Sequence, residues 1–176
     1  MPDLTEAKAR GILEAAKLSD WPTLLQVQNI RWSEGAVAAA AKVLSAPTNP
    51  DTTWAAASVY AAHGADEELL AKLLANTSAS VRFLAARGLV QRGDRRGFAP
   101  LVALLEENGG LDASQRPVWA AATKALALAT GNAELGPPFD ADGELRAVCA
   151  KRWRDWLEEH GSELAFAADS GEWDLP

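Results

Sequence analysis

Few side chains in this 176-residue sequence have the chemistry of a catalytic group. Its two histidines, His63 and His160, stand near predicted helix C-termini, and the helix dipole favours a histidine in the last turn. Neither comes with a placed nucleophile, and a base without a nucleophile is not a mechanism. We therefore predict structural roles for both histidines and expect a protein that is not an enzyme.

The single cysteine is the remaining candidate nucleophile. Arg146 and Arg152 flank Cys149 at helical spacing, which would favour its thiolate. Cys149 also falls on an apolar stripe with no histidine nearby, so we expect a buried thiol that packs as a small hydrophobe. The sequence has no phosphate-binding loop, metal-ligand spacing or Ser-His-Asp set. We therefore expect neither a cofactor nor a metal.

Basic side chains cluster in the middle of the chain, where Asp94 is the one acid among five arginines. We call these five the hinge arginines: Arg82, Arg87, Arg92, Arg95 and Arg96. In one interpretation their stems cover apolar surface around a turn; in the other they recognise an anion or an acidic partner. The second interpretation predicts that Glu at 92, 95 and 96 abolishes binding with little loss of helicity.

Seven tryptophans are the second candidate for binding, because tryptophan is common at interaction hot spots. Trp54 and Trp119 occupy similar places in two predicted helices, so they would line the same face of a helical stack. Core packing is the alternative for each. The candidate partner-binding residues are thus Trp54, Trp119 and the hinge arginines.

The elements that position these residues are predicted to be helices. Hydrophobic residues make up 48% of the sequence and are largely Ala and Leu, which favours helix packed closely on helix and an all-α fold. A first helix is predicted over residues 4–18 and a second from Trp21 to about Ile30. Ser33 caps a third helix, which ends before the breaker at residues 46–50.

Internal repetition follows that breaker. A helix over residues 51–63 turns at Gly64-Ala65-Asp66 into a second, leucine-rich helix. A helix over residues 79–91 likewise turns at Gly93-Asp94 into another, and a third unit opens with a helix over residues 114–130. Gly93 can adopt the left-handed conformation that ends a helix. Such helices must be covered on more than one side, which side-by-side stacking achieves.

This pattern resembles the HEAT-like repeats of phycobilin lyase subunits and many bacterial proteins. The resemblance covers residues 51–136 and is best over 78–108. It is carried by Val81-Arg82, Ala85-Ala86, Gly88-Leu89, Gly93-Asp94, Pro100-Leu101 and Leu104-Leu105. It implies a right-handed α-solenoid of helical hairpins forming one domain over residues 1–176, with N-terminal helices at 1–46, repeats at 51–136, a capping helix at 137–160 and an acidic tail at 161–176.

The C-terminal region is similar to the closing segment of many such chains. The match is Thr130-Gly131, Phe139-Asp140, Trp153 and Trp156. We predict a capping helix over residues 141–160, ended at Gly161. Its apolar stripe would be Leu145, Val148, Cys149, Trp153 and Trp156. The tail over residues 165–176 is either a short recognition peptide or a strap folded over the last helices.

Charge is distributed unevenly along the chain. Residues 134–176 hold eleven acidic and four basic residues, which accounts for the whole net charge of −7. The absence of an apolar run of roughly 20 residues, together with an acidic start, predicts a cytoplasmic protein with no membrane partner. We expect a protein-binding module whose concave face and hinge arginines grip another protein, as an inhibitor, an immunity protein or an assembly factor.

Two alternatives belong to other classes of function. The resemblance also suggests a subunit of a phycobilin lyase-like enzyme that holds an extended chromophore. The hinge arginines suggest nucleic-acid binding, but the acidic C-terminal region argues against the broad positive surface that this requires.

Overall fold

A computed structural model of the protein describes residues 4–17, 19–30, 33–46, 49–110, 116–170 and 172–174. These residues are mostly helical, which confirms the all-α class. The helices are α1 Glu6–Ala15, α2 Trp21–Ile30, α3 Glu34–Ser45, α4 Pro50–His63, α5 Glu67–Leu73, α6 Ala79–Val90, α7 Phe98–Ala103, α8 Val118–Thr130 and α9 Gly143–His160; the strands are β1 Ala165–Ala167 and β2 Glu172–Asp174. Within this part of the chain, no helix is long and apolar enough to cross a bilayer.

Polar side chains set the starts of four helices by accepting hydrogen bonds from backbone N–H groups of the first turn. Ser33 caps α3, as predicted, with its Oγ 3.1 Å from the Ala36 nitrogen. The other three caps are Asn49 on α4, Asp66 on α5 and Asp142 on α9. Each cap satisfies an N–H that has no partner within its own helix.

Three predicted boundaries differ from the observed ones. The first helix is shorter than residues 4–18, since α1 ends at Ala15. Pro50 was assigned to the breaker but begins α4, where its missing N–H is no loss. The third unit begins at Val118, because Pro117 disfavours helical backbone at Arg116; the predicted start, Ser114, lies outside the described residues.

The longer helices pack side by side in a row. In this row α3 lies against α1 and α4, α4 against α6, and α6 against α8, while the shorter α5 and α7 pack on α6. Small residues make the close approach possible, since the alanines at 55–57 of α4 and 85–86 of α6 are buried. Gly97, just before α7, comes so close to the Ala86 carbonyl that a Cβ would clash with it. The core therefore runs continuously through the row.

The predicted apolar stripe of α9 is partly wrong. Leu145 and Val148 are 39% and 48% exposed, while the buried face of α9 carries Arg146, Cys149, Ala150 and Trp153. This face packs on α7 and on the short 3-10 turn Leu104–Glu106 that follows it. The buried face therefore carries Arg146 where the predicted stripe had aliphatic residues. Arg146 can be buried because its guanidinium finds hydrogen-bond acceptors in the interior.

Residues after α9 fold back onto the helices. Strands β1 and β2 pair antiparallel, with Phe166 opposite Trp173, and β2 lies against α8. We call residues 165–174 the strap. The alternative of a strap over the last helices thus describes this segment, although the sequence did not predict its strands.

Candidate binding surfaces

The turn between α6 and α7 is built on a glycine in the left-handed conformation. Gly93 has φ +81°, and the N–H groups of Gly93 and Asp94 donate to the carbonyls of Val90 and Leu89 at the end of α6. A Cβ on Gly93 would lie 2.6 Å from Cδ1 of Phe166 in the strap. The turn therefore needs glycine both for its backbone angle and for the approach of the strap.

Arg96 is held by two carboxylates. Its guanidinium lies 2.7 Å from Oδ2 of Asp94 and 2.6 Å from Oε1 of Glu68. Burial acts to raise the pKa of Asp94, but the hydrogen bonds from Arg96 outweigh it and hold that pKa below its ordinary value. The hydrogen bonds that Arg96 donates to Asp94 and, with a smaller effect, to Glu68 raise the pKa of Arg96 itself.

Arg82 ties the start of α6 to the loops beside it. Its Nη1 donates to the carbonyls of Asn76 and Thr77, each at 2.9 Å, and its Nη2 donates to the carboxylate of Glu107. Two backbone acceptors and one carboxylate therefore surround this guanidinium. These contacts join the loop before α6 to the segment after α7.

Arg92 bridges α6 and α4. Its Nη1 donates to the Gly88 carbonyl at 2.7 Å and its Nη2 to the Tyr60 carbonyl at 3.2 Å. Burial lowers the pKa of Arg92, and the nearby Glu67 partly opposes this effect. A guanidinium that has lost much of its hydration and found backbone acceptors serves the packing of two helices.

Arg95 holds the strap. Its guanidinium donates to the carbonyls of Ser162 and Leu164 and lies 5.9 Å from the ring centroid of Trp173. Trp173 is buried and its Nε1 donates to the Val90 carbonyl at 2.9 Å. The strap therefore covers the turn at which the hinge arginines gather.

The fifth hinge arginine, Arg87, lies 5.4 Å over the ring of Phe83. Each hinge arginine thus contacts groups of its own chain. The contacts are those expected of the structural interpretation, in which arginine stems and heads hold a turn together. Partner binding by the hinge arginines stays a prediction.

The two candidate tryptophans have different surroundings. Both are buried, but Trp54 lies in the core cluster, and its Nε1 meets no acceptor among the described residues. Trp119, at the start of α8, has the ring of Phe139 at 6.5 Å and the guanidinium of Arg146 at 5.5 Å. Trp119 therefore supports an exposed aromatic, whereas Trp54 serves the interior.

Phe139 is the most exposed large hydrophobic side chain in the described part of the chain, at 83%. It stands in the loop between α8 and α9 after a buried Pro137 and an exposed Pro138, whose carbonyl accepts from the Ala141 N–H at 3.1 Å. We call residues 136–142 the Phe139 loop. The sequence presented Phe139 as a marker of the closing segment and not as a binding residue; the signal was an aromatic placed after two prolines among acids.

Arg146 anchors the underside of this site, and sequence reasoning placed it only beside the cysteine. It is 6% exposed and donates to the Glu107 carbonyl at 3.0 Å and to Oδ1 of Asn108 at 2.6 Å. Its guanidinium faces the ring of Trp119. Arg146, Trp119 and Phe139 therefore form one ordered stack from the interior to the surface, which we call the aromatic stack.

The candidate catalytic residues stay apart. Cys149 is buried, as predicted. His160 stacks on Trp156 with ring centroids 5.2 Å apart, and its Nδ1 is 3.1 Å from the Trp156 carbonyl. Among the residues described, no three His, Cys, Asp or Glu side chains are grouped so as to hold a metal ion.

One open groove lies between α3 and the α4–α5 turn. It has a volume of about 490 Å³ and lining that is mainly apolar, with two carboxylates at its rim. His63 lines it together with Val37, Tyr60 and the rim residues Glu34 and Asp66. Its polar groups suit a cation better than an anion.

No protein-family model, curated protein or solved structure matched this chain. The HEAT-like resemblance therefore rests on the repeat residues themselves and stays a prediction.

Proposed function

We propose that this protein is a non-catalytic protein–protein interaction module. The observation that carries the proposal is the exposure of Phe139 above the buried Trp119. A phenylalanine in water forgoes the favourable burial of a large apolar surface, and a partner that covers the ring would supply that burial. Inhibitor, immunity protein and assembly factor are all roles of this class.

The aromatic stack has the features of an interaction hot spot. Hot spots combine an aromatic side chain with a rigid and well-packed surrounding. Here Pro137 and Pro138 restrict the backbone, and the Trp119 ring lies beside the Phe139 ring with centroids 6.5 Å apart. A loop whose backbone is restricted in this way loses less conformational freedom on binding.

The right-handed α-solenoid is part of the same proposal. Its support is the row formed by α1, α3, α4, α6 and α8, with α5 and α7 packed against that row. Stacked hairpins present extended surfaces for partners. The structure places the hinge arginines in contacts within the chain and the exposed aromatic elsewhere, so we assign partner contact first to the Phe139 loop and only second to the hinge arginines.

The two other classes of function gain no specific support. Nucleic-acid binding needs cations that face phosphate, whereas the hinge arginines contact carbonyls, carboxylates and rings of their own chain. A chromophore-binding subunit needs a polar set of groove residues suited to an extended bilin, and the observed groove is short and rimmed by acids.

Site-specific cross-linking tests the proposal. The photoreactive residue p-benzoylphenylalanine replaces Phe139 in one variant and Leu128 in a control, and both are irradiated in native cells. Leu128 is 67% exposed and nine residues after Trp119, which puts it on the opposite face of α8 and about 13 Å along the axis. We expect a discrete cross-linked protein from position 139 and none from 128. The same products from both positions, or none from 139, would contradict the proposal.

A further inference from the structure

We propose that the Phe139 loop recognises a basic protein surface, in which an apolar pocket for the Phe139 ring is flanked by Lys or Arg side chains. This inference rests on the proposed function and specifies the partner of the same site. It follows from the charges of the segment that carries the ring, from the absence of ion-pair partners for its exposed acids among the described residues, and from the geometry of the aromatic stack.

The charged residues of the segment that carries the ring all have one sign, while the buried Arg146 guanidinium lies on the far side of Trp119. Residues 131–145 contain four acidic residues and no basic one. Asp142 is used by the fold, since its Oδ1 accepts from the Leu145 N–H at 2.8 Å. Glu134, Asp140 and Glu144 are exposed. We call these three the rim carboxylates.

The rim carboxylates differ from three other acids of the C-terminal half and the segment before it, which pair with cations of their own chain. Glu107 pairs with Arg82, Glu106 with Arg154, and Asp155 with Lys151. No rim carboxylate forms an ion pair with any residue that the structure describes. A positive potential on a partner protein would therefore complement these carboxylates.

A second copy of the chain is a poor occupant of the site. In a two-fold contact the same patch faces itself, which would bring the rim carboxylates of two copies together. An anionic lipid surface is repelled by the same charges. A cationic protein surface suits both parts of the site. Its Lys or Arg side chains attract the rim carboxylates, and its apolar pocket accepts the Phe139 ring.

The two parts of the site make different contributions. The ring supplies affinity, because its burial in the complex removes apolar surface from water. The rim carboxylates supply attraction during the approach and discrimination against acidic partners. Salt therefore weakens the second contribution much more than the first.

The experiment combines the cross-linker at position 139 with charge variants and NaCl. In the rim variant, the changes Glu134→Gln, Asp140→Asn and Glu144→Gln are made together. In the matched control, Glu158→Gln, Glu159→Gln and Glu163→Gln remove the same charge from exposed positions at the far end of α9 and just beyond it. Cross-linking yield is measured in lysate between 50 and 500 mM NaCl, and the cross-linked peptide is identified by mass spectrometry.

We expect the rim variant to lower the yield roughly tenfold at low salt and the control to leave it within about twofold, since each exposed charge pair contributes a modest amount. High salt should remove the difference between rim variant and parent, and the cross-linked peptide should lie beside Lys or Arg residues. A yield that the rim variant and NaCl leave unchanged would overturn the inference while the proposed function stands. A cross-link to a second copy of the chain would also overturn it, and the absence of any cross-link at 139 would overturn both.

Discussion

The hinge arginines and the Phe139 loop differ in how far their side chains are engaged by the rest of the chain. The hinge arginines concentrate charge in the sequence, yet each of them contacts carbonyls, carboxylates or rings of its own chain. The Phe139 loop is inconspicuous in the sequence, yet its aromatic ring is mostly exposed beside Trp119, and the three rim carboxylates in and beside it form no ion pair with the described residues. The comparison teaches that a cluster of charges signals a binding site only when the fold leaves those charges available.

The difference has a physical origin in the two side-chain types. Arginine offers five donors on a long apolar stem, so it can satisfy carbonyls at turns and helix ends and cover apolar surface at once. A carboxylate offers only acceptors on a short stem, so it is satisfied within the fold only where a donor lies beside it, as the Leu145 N–H does for Asp142. Arginine side chains therefore find partners within the fold, whereas the loop carboxylates are left to solvent or to a partner protein.

The largest effect is expected from the hinge. The triple variant changes Arg92, Arg95 and Arg96 to Glu. It loses the hydrogen bonds to Tyr60, Ser162 and Glu68, and its new carboxylates lie near the hydrogen-bond acceptors that the arginines had satisfied. We expect a loss of about 4 kcal/mol or more in the free energy of unfolding, measured by urea denaturation.

The control for this triple variant makes the same change in charge by Lys→Glu at the exposed positions Lys8, Lys17 and Lys124. It should lose less than about 1 kcal/mol. If the hinge triple variant instead keeps its stability and loses partner binding, the hinge arginines are a binding site and the comparison above fails.

Removal of the strap anchor should have the next largest effect. Trp173→Ala loses the edge contact with Phe98, at 5.1 Å between ring centroids, and the hydrogen bond to Val90. We expect a loss of about 3 kcal/mol in urea denaturation, as for a buried aromatic. Glu172→Ala, on the exposed side of the same strand, should change stability by under about 0.5 kcal/mol. Equal effects of the two variants would show that the strap does not stabilise the hinge.

Arg146 joins the core to the Phe139 loop, so its replacement tests whether the loop, unlike the hinge, can be disturbed through a buried arginine. Arg146→Met keeps much of the stem but leaves the Glu107 carbonyl and the Asn108 side chain without their donor. We expect a loss of about 2 kcal/mol, together with weaker cross-linking at position 139. Arg152→Met, on the exposed face of α9, is the control and should change neither quantity. A stable variant with full cross-linking would show that the aromatic stack does not depend on this guanidinium.

The pair between Asp94 and Arg96 predicts a dependence on pH. The pKa of Asp94 is lower in the folded chain than its ordinary value of 3.8, so its stabilising contribution is present above about pH 4 and is lost as pH falls through the folded pKa. Asp94→Asn retains an oxygen that can cap the turn but loses the charge. We expect it to cost about 0.5 kcal/mol at pH 7 and progressively less as pH falls through the folded pKa of Asp94. A cost that stays constant over this range would contradict the ionic contribution.

The smallest effect on stability is expected at the exposed ring. Phe139→Ser should change the free energy of unfolding by under about 0.5 kcal/mol, because the side chain is already in water. The same variant should weaken partner binding by about 2 kcal/mol, measured by calorimetry with the partner that cross-linking identifies. Leu128→Ser should change neither. A large loss of stability would mean that Phe139 belongs to the core and not to a binding surface.

Local signals predicted the helices well. Ser33, Gly93 and the turn at Gly64-Ala65-Asp66 act on their own neighbours in the chain, so their roles can be derived from sequence. Pro50 was misassigned because the same residue breaks a helix interior and begins a helix. The choice depends on the Asn49 cap beside it.

The proposed binding surface was beyond such signals because its geometry depends on distant parts of the chain. Arg146 is buried because the segment after α7 presents the Glu107 carbonyl, 39 positions away, and the Asn108 amide, 38 positions away. The face of α9 that carries Arg146 is turned inward, and this orientation leaves Leu145 and Val148 exposed. Helical periodicity defines a stripe on a cylinder, but the neighbouring elements decide which stripe is covered.

The strap also has a consequence for the order in which the chain folds. The Trp173 indole reaches a carbonyl 83 positions earlier, whereas stacked repeats usually depend on contacts with adjacent units. At synthesis rates of roughly 5 to 20 residues per second, the turn at Gly93 waits about 4 to 16 seconds for the residue that covers it. During that interval Phe98 lacks its aromatic neighbour. A nascent chain therefore passes through a period in which its middle hairpin is formed but not closed, and this is when a chaperone or protease has access to it.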